Sequence, residues 1–350
     1  MTGAPALLTE TPNTERPAGT TPAADLLSDL LHAVRISGSV WWKWGMGAPF
    51  AICATGRDSV ERLLNCGRTR QITAFHMIAE GRCTIDRPGF PGTELAQGDI
   101  VMLPFGDYHE LRNGDAPLVS AVDLVEAHAK EEGVVASIRH GGDGERTVIV
   151  CGFVHSGDLF FNPVFKTLPS LIVEHTASES VTTLLASTVR QLLNEVDSRR
   201  PGSREMLGRM MEMLFFEMLR RYAERLPSGS VGWLGALADP IAGRALQHIH
   251  AAPMRDWTVE QLAAEVGTSR SVLADRFKAI LGQPPMQYLA GWRLQLASTM
   301  LRDGSRSIAE IACEVGYESE AAFNRAFKRH LGVPPGAWRE TQPGMQVLSA

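Results

Sequence analysis

An internal repeat constrains this chain more than any other feature. Residues 260–285, EQLAAEVGTSRSVLADRFKAILGQPP, recur at 309–335 as AEIACEVGYESEAAFNRAFKRHLGVPP, and the copies share EVG, FK, LG and PP. Each copy reads as helix, sharp turn, helix. In the first helix, Leu262, Ala263 and Val266 (in the second copy Ile311, Ala312 and Val315) form an apolar face, with a small Ala where another helix must cross closely. Gly267 and Gly316 follow, where a positive φ turns the chain at no steric cost. The second helices are expected over residues 269–281 and 319–331, burying Leu273, Phe277 and Ile280 in one and Phe323, Phe327 and Leu331 in the other. Between the copies, QYLAGWRLQLASTMLRD is periodic over about 20 residues, a rod of roughly 30 Å that would hold the two units rigidly. A single helix-turn-helix pattern is shared with many structural hairpins. Two copies with matching Gly, aromatic, Lys and Pro-Pro positions point to a tandem reading device.

The outward residues state what such a device reads. Arg270, Ser271, Ala274 and Asp275 remain on the first copy, and Glu320, Ala321, Ala322 and Arg325 on the second. A helix fits the DNA major groove, where Arg pairs with guanine and Ala touches the thymine methyl. Lys278, Lys328 and Arg329 lie one turn further on, where cations meet phosphates and position the protein without choosing sequence. Two such helices can enter successive major-groove segments about 34 Å apart on double-stranded DNA. The overall charge of −5 opposes nucleic-acid binding only if it is evenly spread. Residues 240–340 carry 12 Lys plus Arg against 10 Asp plus Glu, a net of +2, which leaves −7 for the rest.

Residues from about 255 to 340 resemble the C-terminal DNA-binding domain of the AraC family of bacterial regulators, most closely over YESEAAFNRAFKRHLGVPPGAWR. The resemblance implies seven helices, asymmetric operator sites, and action through RNA polymerase or by blocking it. One departure stands out: Asp275 occupies a reading position where family members usually place Arg. A carboxylate cannot bind phosphate or guanine, though it can accept from cytosine N4. The second unit is therefore expected to contribute more affinity than the first.

The remaining chain is long enough, at 350 residues with 44% hydrophobic and 21% charged content, for one or two further globular domains. Five widely spaced cysteines without a CxxC pair speak for a reducing compartment and against a disulfide scaffold. No stretch approaches 18 apolar residues and no export signal precedes the first helix, so the expectation is a cytoplasmic protein without membrane contact. Residues 1–24 read as a disordered tail and LLSDLLHAV after Asp25 as a short helix. From 39 to about 126, SVWWKW, FAICA, QITAFHMIA, CTID, DIVMLP and PLVSAVDLV read as strands, 127–146 as a surface loop, and TVIVCGFVH as a further strand. Two helices are expected between 178 and 226, split by Arg-Pro-Gly at 200–202. A wide Met and Phe stripe on the second serves either core or subunit interface. This gives a tail (1–24), a sensor domain (25–178), a helical linker and homodimer contact (179–235), a DNA-binding domain (236–340) with units at 258–281 and 307–331, and a short tail (341–350).

GDIVMLPFGDYHELRN places Gly98, Pro104, Gly106, His109 and Asn113 at the defining positions of the second cupin motif, and FHMIAEG resembles a reduced first motif. Residues 25–178, with Cys151-Gly152 and Leu168-Pro169, resemble the cupin-type sensor domain found at the N-terminus of some AraC regulators. The fold class expected is therefore α+β: a cupin-like β-barrel (jelly roll) followed by an all-α double helix-turn-helix domain. Metal-dependent cupin enzymes place two His and a Glu in the first motif. His76 stands alone here, followed by Glu80, so a cupin enzyme fused to a DNA-binding module is the weaker reading. His76, His109 and Cys151 are either packed and hydrogen-bonded inside the barrel, or converge on a site for a divalent ion such as zinc or copper, or for a small effector. Cys66 and Cys83, with Arg62, Arg68 and Arg82 nearby in sequence, offer sensing by thiol oxidation. A barrel that only dimerises, blind to any ligand, is the third alternative.

Overall fold

The structure, a computed structural model, describes residues 26–27, 39–54, 71–128, 136–156, 165–176, 184–198, 200–227, 229–302, 304 and 306–340. The two expected tails and Cys66 lie outside them, as does all but Leu26 and Leu27 of the first helix.

Eleven strands are described: β1 (Ser39–Gly47), β2 (Phe50–Ala54), β3 (Gln71–Glu80), β4 (Arg82–Arg87), β5 (Phe90–Ala96), β6 (Ile100–Leu103), β7 (His109–Asn113), β8 (Leu118–Ser120), β9 (Ala136–Gly141), β10 (Arg146–Ser156) and β11 (Ile172–Glu174). They form two sheets, one of six strands in the order β11-β6-β3-β10-β1-β9 and one of five in the order β5-β4-β7-β2-β8. The expected jelly roll is thus a two-sheet sandwich, not a closed barrel. Its first sheet is covered on both faces, which explains the near-continuous apolar runs of its strands. Trp42, Trp44, Ile78, Val101, Ile149 and Cys151 face the second sheet, whereas Trp41, Phe75, Met77, Met102 and Val150 face away from it.

The outward face is covered by the chain itself. Helix α1 (Ala121–His128) lies between β8 and β9, whereas α2 (Leu184–Ser198) and α3 (Ser203–Glu224) follow β11, and α3 buries Leu207, Met211, Leu214, Phe215 and Met218 in the cluster that contains Trp41 and Phe75. The Met and Phe stripe is therefore core, not a ready-made subunit interface; Met206 (50%) and Met213 (41%) are what α3 leaves exposed. Two strand readings also need correction. PLVSAVDLV is a strand only to Ser120 and then turns into α1. Residues 136–141, expected in a loop, form β9 and pair in parallel with β1 from Trp42 to Gly47. ASIRHG carries only one fully buried apolar residue, Ile138, so its main-chain pairing leaves little side-chain signature.

The C-terminal part holds α4 (Trp233–Leu237), α5 (Ala242–Ala251), α6 (Val259–Glu265), α7 (Arg270–Leu281), α8 (Pro285–Arg302), α9 (Ile308–Glu314), α10 (Glu320–Leu331) and α11 (Pro335–Glu340). From Ala242 onward the described residues thus contain the seven helices that the resemblance implies. The repeat extends to the caps. Thr258 and Ser307 each form a capping box, with Gln261 and Glu310 respectively, and Ser269 and Ser319 each accept from the backbone N–H three residues on. Gly282 and Gly332 close α7 and α10 in the left-handed conformation. In the first unit, Tyr288 accepts from Trp233 Nε1–H at 2.8 Å and pairs with His250 Nε2 at 2.8 Å, tying α4, α5 and α8 together.

Candidate functional site

The base-reading face is set by which side of α7 and α10 the core takes. Leu273, Phe277 and Ile280 are buried on α7, and Phe323, Phe327 and Leu331 on α10. Arg270, Ser271, Asp275 and Lys278 are exposed on the first, and Glu320, Ala321, Arg325, Lys328 and Arg329 on the second; Ala274 and Ala322 are half-buried. The first unit is further restrained. Arg270 lies 3.1 Å from Glu260. Arg276 donates to Asp239 through Nε at 2.8 Å, and Asp239 in turn accepts from Ala242 N–H at 2.8 Å at the start of α5. That guanidinium is committed to the fold. Val272, 47% exposed, joins the outward face of α7 and can meet a thymine methyl. A helical wheel of the segment already contains it, but an apolar residue is easily assigned inward by default.

The second candidate site lies between the sheets. Strand register places Trp42, Cys151, His76 and Val101 opposite one another across β1, β10, β3 and β6, so their side chains share the inward face. His109 reaches the same point from β7 in the other sheet. His76 Nδ1 lies 2.8 Å from Cys151 Sγ, and His76 Nε2 lies 2.7 Å from His109 Nε2. His109 Nδ1 lies 2.8 Å from the carbonyl oxygen of Asp107.

That carbonyl fixes every proton in the chain. It only accepts, so His109 carries its proton on Nδ1 and presents a bare Nε2. His76 must then donate from Nε2 and accept at Nδ1 from the Cys151 thiol. All three side chains are neutral in this arrangement, and burial enforces it. Burial holds His109 down at about 4 and His76 well below the ordinary imidazole range, and it pushes the Cys151 thiol well above the ordinary thiol range.

The expected convergence of His76, His109 and Cys151 is therefore present, but as a linear relay. The two nitrogens of His76 face different partners, which is not the geometry of three ligands around one ion. Among the described residues no group of three His, Cys, Asp or Glu is placed to hold a metal ion. A cavity of about 40 Å³ adjoins the relay, walled by Trp42, Trp44, Ile52, Val122, Val125 and Phe153. Space of that size holds a few water-sized molecules. Asp107 contributes only a main-chain carbonyl, so no side-chain signal in the sequence marks it.

Cys83 does not meet the requirements of an oxidant-sensing thiol. It is buried, and burial raises it to about 12. Its neighbour Arg82 turns outward to Glu145 at 3.3 Å and lends the thiol no positive charge.

A sandwich with a buried polar relay, joined to two capped helix-turn-helix units that expose cations, defines a two-domain DNA-binding regulator. A family model described as cupin matches residues 25–224, and one described as helix-turn-helix domain matches residues 262–341. A putative AraC-like transcription regulator of Streptomyces lividans is 34% identical over 77% of this chain and 87% of its own length. The HTH-type transcriptional regulator AlkR of Acinetobacter baylyi is 31% identical over 78% of this chain and 92% of its own. An RCS-specific HTH-type transcriptional activator of Escherichia coli, RclR, is 27% identical over 77% and 84%. The chain belongs to the AraC family of transcription regulators, in the group with an N-terminal cupin domain. Its relatives are regulators, not enzymes, which disposes of the fused-enzyme alternative. Among the described residues no helix is long and apolar enough to cross a membrane.

Proposed function

We propose that this regulator is controlled from the cavity beside Cys151, and that a small uncharged effector there changes how the helix-turn-helix units engage their operator. The observation that carries the reading is the pair Cys151-Gly152. Cys151 faces the cavity, and Gly152, next along β10, faces α3 so closely that a Cβ there would lie 2.7 Å from Met211. Met211 belongs to the apolar cluster that continues through Trp233 into Phe277 of the first helix-turn-helix unit. A displacement of β10 at the relay thus meets a packed path toward α7. The effector can shift the two arrangements only by its differential affinity for them. It must be small for the cavity, and uncharged because the relay leaves no free charge to pair with it.

Oxidation of Cys151 is a second reading: burial raises its thiol as it raises that of Cys83, but Cys151 has a base, His76 Nδ1, 2.8 Å from its sulfur to take the proton. Hydrogen peroxide would transfer one oxygen to the sulfur, giving a sulfenic acid, while the thiol proton passes by way of His76 to the other oxygen, which leaves as water. The E. coli relative's description as RCS-specific is in keeping with it. In either case the protein is expected to act in the cytoplasm as a homodimer, through α2 and α3, with RNA polymerase as its downstream partner.

The test begins with selection of bound duplexes from a random pool by the full-length protein at physiological salt. Failure to enrich any duplex over random sequence overturns DNA reading itself. With an enriched duplex in hand, Cys151→Ser and His109→Gln are expected to keep folding but alter the response of operator affinity to small neutral compounds and to hydrogen peroxide. Responses identical to wild type in both variants would remove the cavity as the control point. Metal analysis of the purified protein, expected to find less than one ion per chain, separates this reading from a resident zinc or copper.

A further inference from the structure

The two helix-turn-helix units share helix α8, and they share it in halves. Tyr288, Leu289 and Trp292 pack in the cluster of the first unit with Leu262, Leu273 and Phe277. Leu294, Ala297 and Leu301 pack in a separate cluster with Ile311, Phe323 and Phe327 of the second. Arg293 stands at the changeover. Its Nε–H donates to the carbonyl of Pro253 at 2.7 Å, and an Nη2–H donates to the carbonyl of Arg255 at 3.0 Å. Both carbonyls lie on the connection between α5 and α6 of the first unit. The residue between them, Met254, packs instead against the cluster of the second unit.

The other edge of the same guanidinium touches the second unit directly. A Cβ built on Gly316 would lie 3.0 Å from Arg293 Nη1 and 3.1 Å from Cζ. Gly316 and its counterpart Gly267 both take a positive φ, +82° and +72°, as the sharp turn requires. Around Gly267, however, there is open space within 4 Å. The repeat therefore uses one glycine for the turn alone and the other for the turn and for contact with Arg293. A planar fork that is held by two carbonyls of the first unit and lays its remaining end against Gly316 of the second suits this bridging role in a way that an ammonium does not.

We propose that Arg293 is the positioning residue that fixes the second helix-turn-helix unit against the first, and so sets the spacing at which the two operator segments are read. The inference rests on the DNA-binding reading above. Inserting one base pair moves a major-groove segment by about 3.4 Å and turns it by roughly 35°. Units clamped to each other cannot follow; units joined by α8 alone have freedom at the seam between its two packed halves.

The experiment uses the full-length protein and the duplex it enriches from a random pool, alongside versions with one base pair added or removed between the two protected segments. Fluorescence anisotropy at fixed salt reads affinity. Wild type is expected to lose about tenfold or more on a one-base-pair change. Arg293→Met should bind the parent duplex somewhat more weakly but lose no more than about threefold on the same change, with Arg293→Lys between the two. The ratio of parent to altered duplex is the informative quantity, because a merely weakened fold lowers both together. A folded Arg293→Met that keeps the full wild-type penalty overturns the inference and leaves DNA binding intact. Should Arg293→Met not fold, Arg293→Lys decides by the same ratio. A pool without an enriched duplex removes the DNA-binding reading and this inference with it.

Discussion

Asp275 and Arg325 occupy equivalent places in the two units, 50 residues apart and both exposed on the outer face of their helices. One repels phosphate and can accept from the amino group of cytosine; the other can pair with guanine through two donors. Arg325→Ala is accordingly expected to weaken operator binding by about 1–3 kcal/mol. Arg270→Ala should cost less, because Arg270 is already shared with Glu260 in the free protein. Equal losses in a binding titration would show that the units contribute alike. The relay makes a second prediction at this scale. His109 titrates at about 4 in the folded chain, held down by burial, against about 6.5 in an unfolded one. Below pH 6.5 the unfolded chain takes up a proton that folded His109 refuses, so the His109 contribution to stability falls as pH drops from 6.5 toward 4 and then levels off, whereas His250, held at about 3, and His76, held well below its ordinary range, go on lowering stability. His109→Gln should therefore flatten the pH dependence of the thermal midpoint over this window. An unchanged slope would mean that His109 is solvated, not locked in the relay.

Strand β10 and helix α3 meet where neither has room to spare. Gly152 lies between Trp41 and Phe75 in the sheet, and Met211 of α3 lies over it. Gly152→Ala is expected to destabilise the protein by about 1–3 kcal/mol through overpacking, because the Trp41 ring at 2.9 Å cannot yield as the Met211 terminus can. Adding Met211→Ala should recover part of that loss, a coupling measurable by a double-mutant cycle on denaturant midpoints. Additive losses would place α3 farther from β10 than the packing requires. The same contact explains why the Met and Phe stripe is spent inside the chain. A helix laid on a twisted sheet needs side chains that fill irregular gaps, and methionine does this well.

At the level of the whole molecule the cores do not follow the repeat. The sandwich's outer face, α2, α3 and the first helix-turn-helix unit share one apolar cluster, whereas the second unit has its own, smaller one. Amide exchange is expected to reflect this division, with residues 308–340 opening as a unit at lower free energy than β3, β10 and α3. Uniform protection across residues 242–340 would show that the two units behave as one body. The division follows the order of the chain: the first unit is packed against the sandwich, and the second, which carries Arg325, Lys328 and Arg329, is joined to the first through α8 and Arg293.

The repeat, its turn glycines, its buried aromatics and its outward cations were legible in the order of residues, because helical periodicity and φ preference are local properties. So were the cupin motif and the candidacy of His76, His109 and Cys151, since their residue types announce their chemistry. Only tertiary structure could show that these three stand in line, with the two nitrogens of His76 facing different partners. A hydrogen-bond chain depends on which atom faces which, and its direction here is set by the main-chain carbonyl of Asp107. The closure of the stripe on α3 by the chain's own sheet, and the strand at 136–141, were likewise decided by partners distant in sequence. Arg276 and Arg293 illustrate the same limit. Both are basic residues beside a DNA-reading unit, and only their partners, the Asp239 carboxylate and the carbonyls of Pro253 and Arg255, show that they hold the fold in register.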